Sequence, residues 1–268
     1  MPMAIAFPDL DPVALHIGPV AIRWYALAYI TGILGAWWYV RALSRRPAGR
    51  ERVITDIDAE DFVTWATLGV VLGGRLGYVL FYKPGYYLQV PHEIVYVWQG
   101  GMSFHGGLIG VLLAMVLFAR RRRIDLRAFG DLVSCAAPLG LFFGRLANFI
   151  NGELFGRPAP DVPWAMVFPH GGPEPRHPSQ LYEALLEGLV LFVVMHLLWR
   201  MTAIRGRPGM LSGAFLVGYG LARGVAELFR QPDAHLGFLW GGATMGQLLS
   251  IPMILAGAAL IATAGRRQ

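Results

Sequence analysis

The sequence predicts an all-α membrane protein of about seven transmembrane helices, with its amino terminus outside and its carboxyl terminus inside. Of its 268 residues 55% are hydrophobic and only 15% charged, and the mean hydropathy is +0.49, far from a soluble composition. Apolar stretches of about 20 residues, the length that crosses roughly 30 Å of hydrocarbon, recur seven times along it. Its basic residues also alternate in density between successive connections, as they do where short loops set orientation.

The stretches are taken in chain order. The first runs from Val20 to Val40, around an uncharged core beginning at Trp24. The second, Phe62 to Tyr82, carries Arg75; the third, Gly100 to Ala119, carries His105. The fourth, Asp131 to Asn151, carries Arg145, and the fifth, Ser179 to Trp199, begins with Glu183 and Glu187. The sixth, Gly209 to Phe229, ends with Arg223 and Glu227, and the seventh lies uncharged within Leu236 to Gly265. No repeat, low-complexity tract or soluble domain interrupts them. One polytopic domain over residues 1–268 is therefore expected, with an outside loop over 152–178.

Fifteen of the 23 basic residues follow spans one, three and five or close the chain, among them Arg45, Arg50, Arg122, Arg205, Arg266 and Arg267. Five, namely Arg23, Lys83, Arg157, Arg176 and Arg230, fall on the other side, and Arg75, Arg145 and Arg223 lie within spans. The basic-rich side is inside. Net charge +6 therefore reflects loops beside anionic headgroups, and no nucleic-acid partner is expected. Residues 1 to 19 lack a basic start followed by an apolar run, so no cleavable signal peptide is expected. The seven histidines show no i,i+4 pair, so no metal is expected either.

Depth places the polar intramembrane residues in one leaflet. Arg23 and Tyr25 open span one outside, His105 opens span three, and Arg145, Asn148 and Asn151 end span four. Gln180, Tyr182 and Glu183 open span five outside, while Arg223, Glu227 and Arg230 end span six. Arginines near helix ends often only snorkel to headgroups. Arg145 and Arg223, however, lie one to two turns inside, where each costs on the order of 2 kcal/mol to bury. Planar guanidinium donors match phosphate, so two arginines on different helices form a candidate clamp for an anionic headgroup. Arg145 and Asn148 share a helix face, and Arg223 and Glu227, four apart, form a candidate ion pair. His105, with an ordinary pKa of about 6.5, is a candidate proton acceptor.

The lone Cys135 lies ~15 Å deeper than Arg145 on one helix, too far to act as its nucleophile, and no GxSxG elbow is present. The glycines of Gly69-Gly73-Gly77, Gly106-Gly110 and Gly220-Gly224 are spaced for close helix packing. Gly107, beside Gly106 and His105, admits either packing or a headgroup. A transporter for an anionic solute and a scaffold of anchoring arginines are the competing readings of the arginines. Transport predicts polar residues through the inner half as well, where the sequence is almost wholly apolar.

Five ordered segments resemble the prolipoprotein diacylglyceryl transferase family: RWYALAY from Arg23, SFHGGLIG from Ser103, GRLANFINGELFGRP from Gly144, HPSQLYEALLEG from His177 and YGLARGVAELFRQPD from Tyr219. The third is similar to the family's signature stretch. The resemblance implies transfer of diacylglyceryl from phosphatidylglycerol to the lipobox cysteine of a prolipoprotein, with no cofactor, in a bacterial inner membrane with the active site facing the periplasm. It implies that His105 and Arg223 are catalytic, with Arg145 and Tyr25 beside them. Arg145 would bind the headgroup, with Asn148, Glu153, Gly156, Glu227, Gln180, Tyr182 and Glu183 in the substrate site. The partners it implies are phosphatidylglycerol, a prolipoprotein signal peptide and membrane lipids. Ala26 stands where the family pattern leads one to expect Gly, and Gly224 where a bulkier residue is expected.

Overall fold

The computed structural model describes residues 5–8, 10–18, 20–46, 52–232 and 237–265. Arg50, Asp233, His235, Leu236, Arg266 and Arg267 lie outside the described residues. The chain divides into two compact units, Arg41–Gly130 and the remainder, Met1–Val40 with Asp131–Gln268.

Before either unit's long helices come three short strands: β1 (Ile5–Ala6), β2 (Val13–Ile17) and β3 (Val20–Arg23). β2 and β3 pair antiparallel across a turn in which Gly18 takes φ +58°. Span one was expected to start at Val20. Instead β-branched Val20 and Ile22 lie in the hairpin and α1 occupies Trp24–Ser44.

The Arg41–Gly130 unit is built on α2 (Asp56–Phe81) and α4 (Phe104–Arg122), with the short α3 (Pro84–Gln89) and two 3₁₀ turns between them. Thr55 and Asp58 form a capping box that satisfies the first amides of α2. The glycine spacing then sets the packing. A Cβ at Gly69 would meet the Gly110 carbonyl oxygen at 2.6 Å, one at Gly77 the Gly106 Cα at 2.8 Å, and one at Gly73 both partners. Backbones approach this closely only without side chains. Leu68, Leu72, Leu76 and Leu80 form a stripe of α2 turned away from the glycines and are exposed, as a lipid-facing row must be. At the far end of the pair Phe62, Phe118 and Phe129 form an aromatic plug, and Arg122 pairs with Asp58 and Asp61.

The other unit contains most of α1 and of α5 (Leu126–Ile150), with α6 (Ser179–Arg200), α7 (Met210–Ala226) and α8 (Met245–Ala262). α6 is not regular: Ala184–Val190 winds as a π-helix, a departure that the apolar run did not signal. The carboxylate of Asp131 accepts from the amides of Gly209 at 2.8 Å and Ser212 at 2.7 Å, capping the start of α7. Tyr39 and His196 share a 2.7 Å hydrogen bond. Gly220 packs against Ile254 and Ser250, whereas a Cβ on Gly224 would meet nothing within 4 Å, so the expected Gly220-Gly224 contact reduces to Gly220. The 152–178 segment is folded. Its Met166–Val167 strand, β4, runs parallel to β1, and Phe168 is buried among Phe7, Phe149 and Phe155.

Five helices among the described residues are long and apolar enough to cross a membrane: α2, α4, α5, α6 and α8. Two of the seven expected spans fall outside that set. α7 is apolar but has 17 residues, and α1, at 21, carries Trp24, Trp37, Trp38, Tyr25, Tyr29 and Tyr39, whose polar tips lower its hydropathy.

Candidate active site

α5 ends, α6 begins and α7 ends at one place in their unit. Because side chains three and four apart share a helix face, α6 presents Glu183 and Glu187 together. Both are fully buried. Arg145 reaches them from α5, its Nη2 lying 2.8 Å from Glu183 Oε2 and 3.4 Å from Glu187 Oε2. Arg223 reaches the same pair from α7, its Nη1 lying 3.0 Å from Glu183 Oε2 and 3.5 Å from Glu187 Oε1.

The two guanidinium groups thus converge on one carboxylate oxygen. Nη2 of Arg223 also pairs with Glu227, the expected intrahelical partner. Arg230 closes the set at 3.2 Å from Glu183 Oε1 and 3.9 Å from Glu227. Three cations balance three carboxylates, the condition under which buried charges are tolerated. The balance leaves donors over. Arg145 uses only Nη2 on carboxylates, so its Nε and Nη1 have no protein hydrogen bond among the described residues, and its side chain stays 17% exposed.

Other expected residues gather beside this cluster. Asn148, one turn beyond Arg145, donates through Nδ2 to Glu153 Oε1 at 2.8 Å and to the hydroxyl of Tyr25 at 3.4 Å. The Glu153 carbonyl accepts from buried Gln180 at 2.6 Å. Leu154, next to it, sits in the left-handed region at φ +59°, a strained conformation for a side-chain-bearing residue. The Ser179 hydroxyl holds it by donating to its carbonyl at 3.1 Å.

Gly156 has a packing role. A Cβ there would lie 2.5 Å from the Phe229 carbonyl oxygen and 2.6 Å from His177, so this strand-like crossing closes only around glycine. Arg157 follows and donates to the carbonyls of Glu227 and Arg230 at 2.9 Å each, tying the loop to the end of α7. Tyr182 does not reach the arginines; its hydroxyl accepts from Trp164 Nε1 at 2.6 Å and lies 3.1 Å from His177 Nδ1. Burial, with Arg157 nearby, holds His177 below the usual histidine pKa.

His105 lies on the other unit, exposed in the first turn of α4, two residues after the Ser103 N-cap. Sequence reasoning did not place Glu187 in the site and left Arg230 even between a headgroup anchor and a site residue. The four-residue spacing of Glu183 and Glu187 inside an apolar stretch was the available signal. Cys135 is free and buried. No cluster of three or more metal-ligating side chains occurs among the described residues.

The model for the prolipoprotein diacylglyceryl transferase family matches residues 12–263. This chain belongs to that family. The phosphatidylglycerol–prolipoprotein diacylglyceryl transferase of Paramagnetospirillum magneticum is 66% identical, with all of this chain and 98% of the relative covered. The transferase of that name from Rhodospirillum rubrum is 65% identical over 100% of this chain and 97% of its own length. That of Azospirillum brasilense is 61% identical over 99% and 98%. A transferase family with apolar spanning helices is what the five ordered segments implied.

Proposed function

We propose that this protein transfers the diacylglyceryl group of phosphatidylglycerol to the lipobox cysteine thiol of a prolipoprotein, in the periplasmic leaflet of a bacterial inner membrane. The observation that carries the reading is the paired guanidinium cluster: Arg145 and Arg223, anchored on one buried carboxylate, with Arg145 donors left for an anion. We further infer seven spans within one polytopic domain, the amino terminus and the 152–178 segment being periplasmic and the carboxyl terminus cytoplasmic.

The substrate thiol, of ordinary pKa about 8.5, must lose its proton to attack. Its sulfur then forms a bond to the diacylglyceryl carbon that carries the phosphate ester, and that carbon–oxygen bond breaks. A thioether and glycerol 1-phosphate result. His105 accepts the proton, and Arg145 and Arg223 stabilise the charge that accumulates on the departing phosphate. Glu227 and Glu183 hold Arg223 in place, and Glu183 holds Arg145. Asn148, Glu153 and Tyr25 shape the headgroup site through their mutual hydrogen bonds. Gln180 braces the Glu153 backbone, while Tyr182 and Gly156 support the surrounding loop.

The test is direct. Purified protein, labelled phosphatidylglycerol and a lipobox peptide should yield lipidated peptide and glycerol phosphate. Folded protein that yields neither refutes the proposal.

A further inference from the structure

Of the three arginines placed within apolar stretches, Arg75 has no part in the chemistry above. It is 4% exposed in the last two turns of α2, and no carboxylate pairs with it among the described residues. Carbonyl oxygens surround it instead. Its Nε donates to Ile94 at 2.8 Å, Nη2 to Glu93 at 2.6 Å, and Nη1 to Gly100 at 2.6 Å and Gly101 at 3.3 Å. The guanidinium also stacks 5.2 Å from the Tyr87 ring.

An arginine so enclosed has little left for an anion, since a guanidinium has five N–H donors and four carbonyls already accept from it. What it does is gather two stretches of one loop, residues 93–94 and 100–101, onto a single side chain. Gly100 and Gly101 accept this with φ of +85° and +75°. The preceding residue of α2 continues the grip, the Gly74 carbonyl accepting from the Ser103 amide at 2.9 Å. Ser103 caps α4, its hydroxyl accepting from the Gly106 amide at 3.2 Å, and His105 stands in that first turn.

We propose that Arg75 is a positioning residue: by clamping the 93–101 loop to α2 it sets where α4 begins and thereby where His105 is presented. The proposal rests on His105 as proton acceptor. Lysine, a point charge with three donors and no planar fork, cannot bridge the same four carbonyls.

The test uses the full chain in lipid nanodiscs, comparing Arg75→Lys and Arg75→Gln with wild type and with His105→Ala. Backbone amides of 93–103 should exchange at least about 10-fold faster in both Arg75 variants, with the amides of α2 and α4 unchanged. The rate constant kcat should fall about 10- to 100-fold, as a misplacement of about 1 Å produces, with KM for phosphatidylglycerol within about twofold. The pH profile should change shape. Wild-type rate should depend less steeply on pH than that of the variants, which should follow the substrate thiol toward about 8.5.

Unchanged exchange in 93–103 overturns the clamp. Faster exchange with wild-type kcat and pH profile overturns its link to catalysis. A rate lowered equally at every pH, with α2 and α4 also exchanging faster, means a purely structural arginine and overturns the proposal too. Should His105→Ala keep the wild-type rate, the assignment of His105 fails and the link falls with it. The exchange data then decide on the clamp alone.

Discussion

Arg145 and Arg75 are both held inside apolar helices, but by opposite routes. Arg145 shares Glu183 and Glu187 with Arg223 and keeps free donors, whereas Arg75 spends its donors on four loop carbonyls. Carboxylate counterions cancel charge while leaving part of the guanidinium fork open, so the group can still meet an anion. Carbonyl partners fill the fork and convert the residue into a clamp. The chemistry of an intramembrane arginine is decided by what surrounds it.

The largest effect should come from the open fork. Arg145→Ala is expected to lower turnover by about 100- to 1000-fold, the cost of losing one preorganised donor to developing charge, measured as lipidated peptide formed per folded protein. Near-normal turnover would remove Arg145 from the site. Arg223→Ala should behave similarly.

Stability separates the two regions next. Glu183→Ala removes the carboxylate that three arginines share, leaving three buried cations on two carboxylates, and should destabilise the fold by about 3–5 kcal/mol in detergent unfolding. Glu183→Gln, which keeps the shape and some hydrogen bonding, should lose less. Equal losses would show that volume, and not charge, matters at this position.

A smaller contrast lies in the glycines. Gly73→Ala drives a methyl into Gly106 and Gly110 and should destabilise by about 1–3 kcal/mol. Gly224→Ala, with open space around it, should be neutral or stabilise by up to about 1 kcal/mol. The same thermal unfolding assay reads both.

The subtlest effect is a pH dependence. His177 has its pKa lowered in the fold, mainly by burial, so the unfolded chain binds its proton more readily. Its contribution is complete above the unfolded value of about 6.5 and is lost as pH falls below it. Wild type should therefore lose more stability between pH 7 and pH 5 than His177→Gln does. A parallel decline in both would show that the Tyr182–His177 contact tolerates the charged ring.

Much of this site was legible before any coordinates. Arg145, Arg223 and Glu227 stood out because charge inside an apolar stretch is costly, and their depth placed them together. The Arg223–Glu227 pair followed from a spacing of four and is present. The ion pairs of Glu187 and Arg230 could not be read off, since a helix pattern does not say which neighbouring helix its polar face meets. The boundaries of the first span were misplaced for a related reason: Val20–Arg23 is as apolar as a helix end, and only pairing with Val13–Ile17 makes it a strand.

The sequence by itself determined the class of molecule and the family, because apolar length, arginine siding and five ordered segments are local properties of the chain. It also determined which residues carry charge into the apolar stretches. Tertiary structure alone decided their partners, carboxylates for Arg145 and carbonyls for Arg75, and it alone turned Ala184–Val190 into a π-helix. Those outcomes depend on contacts between residues far apart along the chain, where helix periodicity carries no information and where burial makes each partner decisive.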